Sequence, residues 1–134
     1  MVQKTFKADK NVLHEVISFV EEELENHDCN MKTQMMISVM VEEIFVNIAS
    51  YAYKEKEGVA DIILDFAGDD VKITFIDSGV EFNPLAKEDP DITLSAEERN
   101  IGGLGIYMVK QTMDEVIYER KNNQNILSIK KMIH

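Results

Sequence analysis

Apolar side chains recur along the chain with two periods, and those periods predict most of its elements. Val2 to Ala8 reads as a short first strand. From Lys10 to Asn26, the residues Val12, Leu13, Val16, Ile17, Val20 and Leu24 fall three or four positions apart, which is the spacing of one helix face. The outer face of that helix carries Glu21, Glu22, Glu23 and Glu25, a solvated acidic run. Asn26-His27-Asp28-Cys29-Asn30 breaks the pattern, and the Asn30 side chain is suited to cap the next helix. That helix, from about Met31 to Tyr53, is apolar nearly all round, which marks it as buried. Ala60 to Ala67 and Val71 to Asp77 are rich in β-branched residues and flank Gly68-Asp69-Asp70, so they predict a hairpin. Ser78 to Ile101 has little periodicity and holds both prolines, Pro84 and Pro90. Stretches of that length in a small domain are commonly lids or binding loops. A third helix is predicted from Gly103 to about Met113. A last hairpin follows, Glu115 to Lys121 and Asn125 to Ile133, around Asn122-Asn123-Gln124. The order β-α-α-β-β-loop-α-β-β predicts an α+β, two-layer sandwich with helices on one face of a mixed, mostly antiparallel sheet.

Composition narrows the function more than the fold. A chain of 134 residues with 45% apolar content is expected to form one domain over 1–134. No apolar run approaches the roughly 18 residues of a membrane helix, and Met1-Val2-Gln3-Lys4-Thr5-Phe6 lacks the apolar stretch of a secretion signal. A single cysteine, Cys29, excludes an internal disulfide and fits a reducing cytoplasm. The net charge of −11, from 14 basic and 25 acidic residues, argues against nucleic acid and against an anionic membrane surface. His14, His27, His134 and Cys29 lack zinc-ligand spacing, and there is no G-x-S-x-G nucleophile elbow.

Three polar features remain to be explained. Glu43 and Asn47 lie one turn apart on the apolar second helix, about 40° apart around its axis. A carboxylate in that setting is costly unless it is paired or used. Either this arc of the helix meets water, or the pair seats a magnesium ion beside a proton acceptor. Asp77, at a strand end and followed by Ser78-Gly79, is read either as a turn or as a carboxylate that accepts a hydrogen bond from a ligand amine, with Gly79 permitting close approach. Gly102-Gly103-Leu104-Gly105 packs three of the six glycines into four residues at a helix start. Such a start is either flexible or an anion site built from free backbone N–H groups and the positive dipole end.

The order and spacing of these features make the chain resemble the GHKL (histidine kinase-like) ATPase superfamily, and within it the anti-sigma-factor serine/threonine-protein kinases. Glu43-Ile44-Phe45-Val46-Asn47 matches the E-x-x-x-N box. Asp77-Ser78-Gly79 with Phe82-Asn83-Pro84 matches the kinase form of the D-x-G box, and Gly102 to Lys110 matches the second glycine box. The resemblance implies a Bergerat-type ATP-binding fold with ATP and Mg²⁺ as cofactors. It implies that Asn47 ligates the metal and that Glu43 orients or deprotonates the attacking hydroxyl. Asp77 would take the adenine amine, Gly79 would let the base sit close, and Gly102, Gly103, Leu104 and Gly105 would cradle phosphates. Ser128 would supply a hydroxyl near adenine, and Arg99 or Lys110 would meet the γ-phosphate. It also implies protein partners: an anti-anti-sigma factor as phospho-acceptor, a sigma factor held inactive, and a homodimer. Ile48 and Tyr51 stand where the family usually has a small residue and a histidine. That departure keeps a second reading open, a non-catalytic ATP- or partner-binding module. The acidity does not oppose a nucleotide, because backbone N–H groups and Mg²⁺, not a basic cluster, would meet its phosphates. From Glu81 to Glu98 there are six acids and one base, Lys87, and this acidic stretch is expected to cover the nucleotide.

Overall fold

The computed structural model of the protein describes residues 1–53, 56–86 and 103–134. The first strand, β1 (Val2–Lys7), leads through a 3-10 turn (Lys10–Val12) into helix α1 (Leu13–Asn26) and then helix α2 (Met31–Tyr51). Strands β2 (Val59–Ala67) and β3 (Asp70–Asp77) follow, and a second 3-10 turn spans Pro84–Ala86. Helix α3 (Gly103–Thr112) precedes β4 (Glu115–Lys121) and β5 (Gln124–Met132). The five strands form one sheet in the order β1-β2-β3-β5-β4, with β3 at its centre. Every pairing among the described strands is antiparallel.

Strand parity decides which face is covered. Ala60, Ile62 and Leu64 of β2 lie beside Asp77, Phe75 and Ile73 of β3, which in turn lie beside Asn125, Leu127 and Ile129 of β5. All nine side chains are buried. Onto them α1 packs Val16, Val20 and Leu24, and α2 packs Ile37, Val41, Ile44 and Phe45. A fully buried side chain of this kind contributes about 1.5–3 kcal/mol relative to exposure, so these rows carry the fold. The polar Ser38 and Gln34 are tolerated between the helices because they bond to α1. Ser38 Oγ donates to Glu21 Oε1 at 3.1 Å, and Gln34 Nε2 donates to the Glu21 carbonyl at 3.4 Å.

Local chemistry accounts for the element ends. The Thr33 N–H donates to Asn30 Oδ1 at 2.8 Å, the expected cap of α2. The helix stops at Tyr51, two residues short of the periodic pattern. Tyr53 has another use: its hydroxyl donates to the Val59 carbonyl at 2.5 Å and accepts from Ser78 N–H at 2.8 Å. Its ring covers Gly58, where a Cβ would collide with it. The β4–β5 turn is tighter than the sequence pattern suggests. Asn122 and Asn123 both take left-handed φ, 54° and 62°, so a two-residue turn closes the hairpin and Gln124 already belongs to the strand. Asparagine tolerates that region better than other non-glycine residues. Burial pushes the Cys29 thiol pKa up, which keeps it protonated in the core. No helix of the described residues is long and apolar enough to cross a membrane.

Candidate functional site

The last row of the covered sheet face holds the site. Reading across, it runs Phe6, Ala60, Asp77, Asn125 and Arg120, each the register partner of the next. The row is apolar on one side and turns polar from the central strand onward. Parity points Asp77 inward under the helices, where it is 6% exposed. A buried carboxylate needs partners, and Asp77 Oδ1 has two: the Gly79 N–H at 2.9 Å and Asn125 Nδ2 at 2.9 Å. Neither bond uses Oδ2.

The segment after Asp77 is held from three sides. The Val80 N–H donates to the Ala52 carbonyl at 2.8 Å, just past the end of α2. Arg120 Nη1 donates to the Gly79 carbonyl at 2.9 Å. Asn125 also donates to the Val80 carbonyl at 2.8 Å and accepts from the Phe82 N–H at 3.2 Å. A Cβ at position 79 would run into the Ala52 carbonyl group. Glycine there serves the packing of this segment on α2 rather than an open pocket wall.

These contacts line a solvent-open pocket whose cavity volume is about 40 Å³, small beside the roughly 300–1,000 Å³ usual for small-ligand sites. Its walls are mostly apolar, from Ile44, Ile48, Phe75, Pro84, Ile106 and Leu127. Its polar groups are Asn47, Asp77, Asn125, Tyr51 and Tyr118. The Tyr51 and Phe82 rings face each other at the mouth, centroids 6.2 Å apart and planes 27° off parallel. Tyr118 donates its hydroxyl proton to Asn125 Oδ1 at 2.5 Å. Burial first, and the Glu81 carboxylate second, raise the Tyr118 pKa, which keeps it a neutral donor. The polar set fits an amine-bearing base edge: Asp77 Oδ2 takes no hydrogen bond from the described residues, and the pocket is edged by the Tyr51 and Phe82 rings.

Asn47 lines this pocket, and Glu43 lies one turn back along α2. The Glu43 carboxylate sits against Gly105, where a Cβ would overlap its Oε2. The structure therefore brings Glu43, Asn47, Asp77, Gly79 and the start of α3 to one end of the sheet. Gly103 and Leu104 form the first turn of α3, whose N–H groups have no helical partners of their own. Gly102 and Arg99 lie outside the described residues, as does most of the acidic stretch from Glu81 to Glu98. Lys110 is in the last turn of α3, about 10 Å along the axis from Gly103 at 1.5 Å per residue. Asn47 with a carboxylate one turn away is a sparse oxygen set. It fits magnesium, which takes few protein ligands beside its waters and phosphates.

Ser128 is not part of this site. It pairs with Thr74 on the outer sheet face, Oγ to Oγ1 at 3.2 Å, and lines a groove with Asp65, Lys72 and Lys130. The residue of β5 that faces the pocket is Asn125. The misplacement has a physical cause: Ile126 and Leu127 are both apolar, so alternation along β5 does not reveal which parity is inward. Asn125, Tyr118, Arg120 and Tyr53 were missed by motif reading.

A family model described as a histidine kinase-like ATPase domain matches residues 6–131. The serine-protein kinase RsbW of Bacillus mycoides (strain KBAB4) is 30% identical over 98 residues, covering 70% of this chain and 61% of that protein. The RsbW of Bacillus cereus (strain B4264) is 31% identical over the same coverage. The chain thus spans about three fifths of these curated relatives, at 61%. Among solved structures, the RsbU and RsbW domains of Rv1364c from Mycobacterium tuberculosis superpose with a TM-score of 0.65 at 16% identity, over 99% of this chain and 33% of that one. The catalytic domain of histidine kinase ThkA, nucleotide-free, gives 0.57 at 15% identity, over 99% and 97%. At those identities both likenesses show the fold alone.

Proposed function

This chain belongs to the histidine kinase-like ATPase domain family, and from that premise we propose that it is an ATP-binding regulator of the anti-sigma-factor kinase type. It is a single ATPase domain over residues 1–134, acting in the cytoplasm. It phosphorylates a serine or threonine on an antagonist protein of the anti-anti-sigma kind, and it sequesters a sigma factor or similar partner, with a homodimer as the working form. The observation that carries this reading is that Asp77, with one oxygen unused, and Asn47 line one pocket, while Glu43 lies one turn along α2 against the start of α3. The serine-protein kinase name of the RsbW relatives supports the acceptor class.

Asp77 Oδ2 would accept a hydrogen bond from the exocyclic amine of adenine, with Tyr51 and Phe82 beside the base. The Asn47 amide oxygen holds Mg²⁺. The N–H groups at the start of α3, at Gly103, Leu104 and Gly105, would meet the phosphates, where the helix dipole favours negative charge; Gly102, named with them by the motif, lies outside the described residues. Bound Mg-ATP supplies the transferable phosphoryl group. Phosphoryl transfer asks the protein mainly for alignment and charge placement, which so few residues can provide. Glu43 orients the acceptor hydroxyl and takes its proton. Incubation with Mg-ATP and the cognate antagonist is expected to yield phosphoserine or phosphothreonine. Glu43→Ala is expected to lose transfer while still binding nucleotide, and transfer at an unchanged rate would sink the base assignment.

One observation favours a second reading. Ile48 and Tyr51, the two departures from the family pattern, both line the pocket. A non-catalytic module would bind its partner and show no phosphoryl transfer with any antagonist, whether or not Mg-ATP binds.

A further inference from the structure

We propose that Asn125 is a positioning residue that sets which nucleobase the pocket accepts. The inference rests on the reading that this pocket takes an adenine nucleotide, and it deepens that reading to base selectivity.

Asn125 is 6% exposed and makes four hydrogen bonds with its side chain, the full capacity of an amide whose oxygen accepts twice. The orientation of the amide follows from its neighbours. The NH₂ group faces two acceptors, Asp77 Oδ1 and the Val80 carbonyl. The oxygen faces two donors, the Phe82 N–H and the Tyr118 hydroxyl. A flipped amide would set oxygen against a carboxylate and a carbonyl, and NH₂ against the Phe82 N–H.

Two consequences follow for Asp77. Its Oδ1 is occupied by Gly79 N–H and Asn125 Nδ2, so the carboxylate is held in one rotation and presents Oδ2 alone. The same asparagine ties Val80 and Phe82 to β5, so the backbone that walls the pocket is referenced to the carboxylate it surrounds. An oriented acceptor oxygen favours a base with an amine at its recognition edge, as in adenine. It disfavours a base with a carbonyl oxygen there, as in guanine, because two acceptors then face each other with no proton between them. All four polar contacts of the Asn125 side chain are made within the protein. It acts through Asp77 and through residues 79–82.

The test measures binding of Mg-ATP, Mg-GTP and Mg-triphosphate to the full chain and to its Asn125→Asp and Asn125→Ser variants. Asn125→Asp keeps the shape but removes both amide donors and places a second carboxylate against Asp77. It is expected to weaken ATP binding by about tenfold or more, leave triphosphate binding unchanged, and reduce the ATP-to-GTP preference by a similar factor, the scale of a lost hydrogen bond to a charged group. If Asn125→Asp fails to fold, Asn125→Ser keeps a hydroxyl that cannot span both Asp77 and Val80, and the same fall in preference is expected of it. A folded variant that binds ATP and triphosphate equally weakly with its ATP-to-GTP ratio intact would assign Asn125 a purely structural role and overturn the proposal. A parent protein that binds no ATP would overturn the nucleotide reading itself, whereas a parent that binds ATP with a variant ratio unchanged would overturn only the role of Asn125.

Discussion

Replacing Gly105 by alanine puts a methyl group where the carboxylate of Glu43 now lies. The new Cβ would overlap Oε2 and stand 3.1 Å from Cδ. Two opposing terms set the outcome. Alanine is favoured over glycine in a helix by up to about 1 kcal/mol. Overpacking of a filled site costs about 1–3 kcal/mol. The obstructing atom is the far end of a flexible, half-buried side chain, so relief comes from swinging the carboxylate outward, and the cost belongs at the low end. The net loss of stability is therefore expected to be small, about 0–2 kcal/mol, while Glu43 is displaced. In a Glu43→Ala background the obstruction is gone and only the helix gain remains, so the same Gly105→Ala change is expected to stabilise by up to about 1 kcal/mol. For a chain of this size that is a rise of roughly 2–5 °C in melting temperature. Urea or thermal denaturation of the four proteins without nucleotide gives the coupling energy, expected at about 1–3 kcal/mol. Additivity within about 0.5 kcal/mol would refute the claim that Gly105 is glycine because Glu43 needs the space.

Gly79→Ala is expected to be worse than Gly105→Ala, losing about 1–3 kcal/mol by denaturation and the nucleotide affinity with it, because the obstructing atoms are the backbone carbonyl of Ala52 and have no rotamer to escape into. Asn30→Ala is expected to cost about 1 kcal/mol as a lower urea midpoint with an unchanged slope, and Asn30→Asp to cost far less, since the bond lost is the Thr33 N–H to the cap oxygen. The raised Tyr118 pKa gives a sign in alkali. The folded state holds that proton more tightly than the unfolded chain, so the stability it contributes is whole below about pH 10 and is lost as pH rises through the folded value. Denaturation midpoints of the parent are therefore expected to fall more steeply above about pH 10 than those of Tyr118→Phe, and parallel curves would contradict the assignment.

Much of the fold was legible from periodicity because the covered face is consistently apolar. Val71, Ile73 and Phe75 alternate with Lys72 and Thr74 along β3, although Ile63 blurs the alternation in β2, and α1 shows one apolar stripe. The boundaries that moved did so where a side chain had a second use. Tyr53 leaves α2 to bridge Ser78 and Val59, and Asn122-Asn123 adopt left-handed φ that composition alone does not announce. At the site, motif spacing singled out Glu43, Asn47, Asp77 and Gly79, which the structure places at one end of the sheet, because contiguous boxes survive in sequence. It missed Asn125, Tyr118 and Arg120, because their relation to Asp77 is a register across strands 48 residues apart in the case of Asn125. It misassigned Ser128 for the same reason, since a hydroxyl on β5 is placed by parity and not by proximity to a motif.

The most direct test of the account is calorimetric titration of Mg-ATP into the parent chain and into Asp77→Asn. The account predicts saturable binding to the parent and a loss of about ten- to a hundredfold in the variant, the scale of a hydrogen bond to a charged acceptor. No binding to the parent at millimolar Mg-ATP, or equal binding by the two proteins, would contradict it.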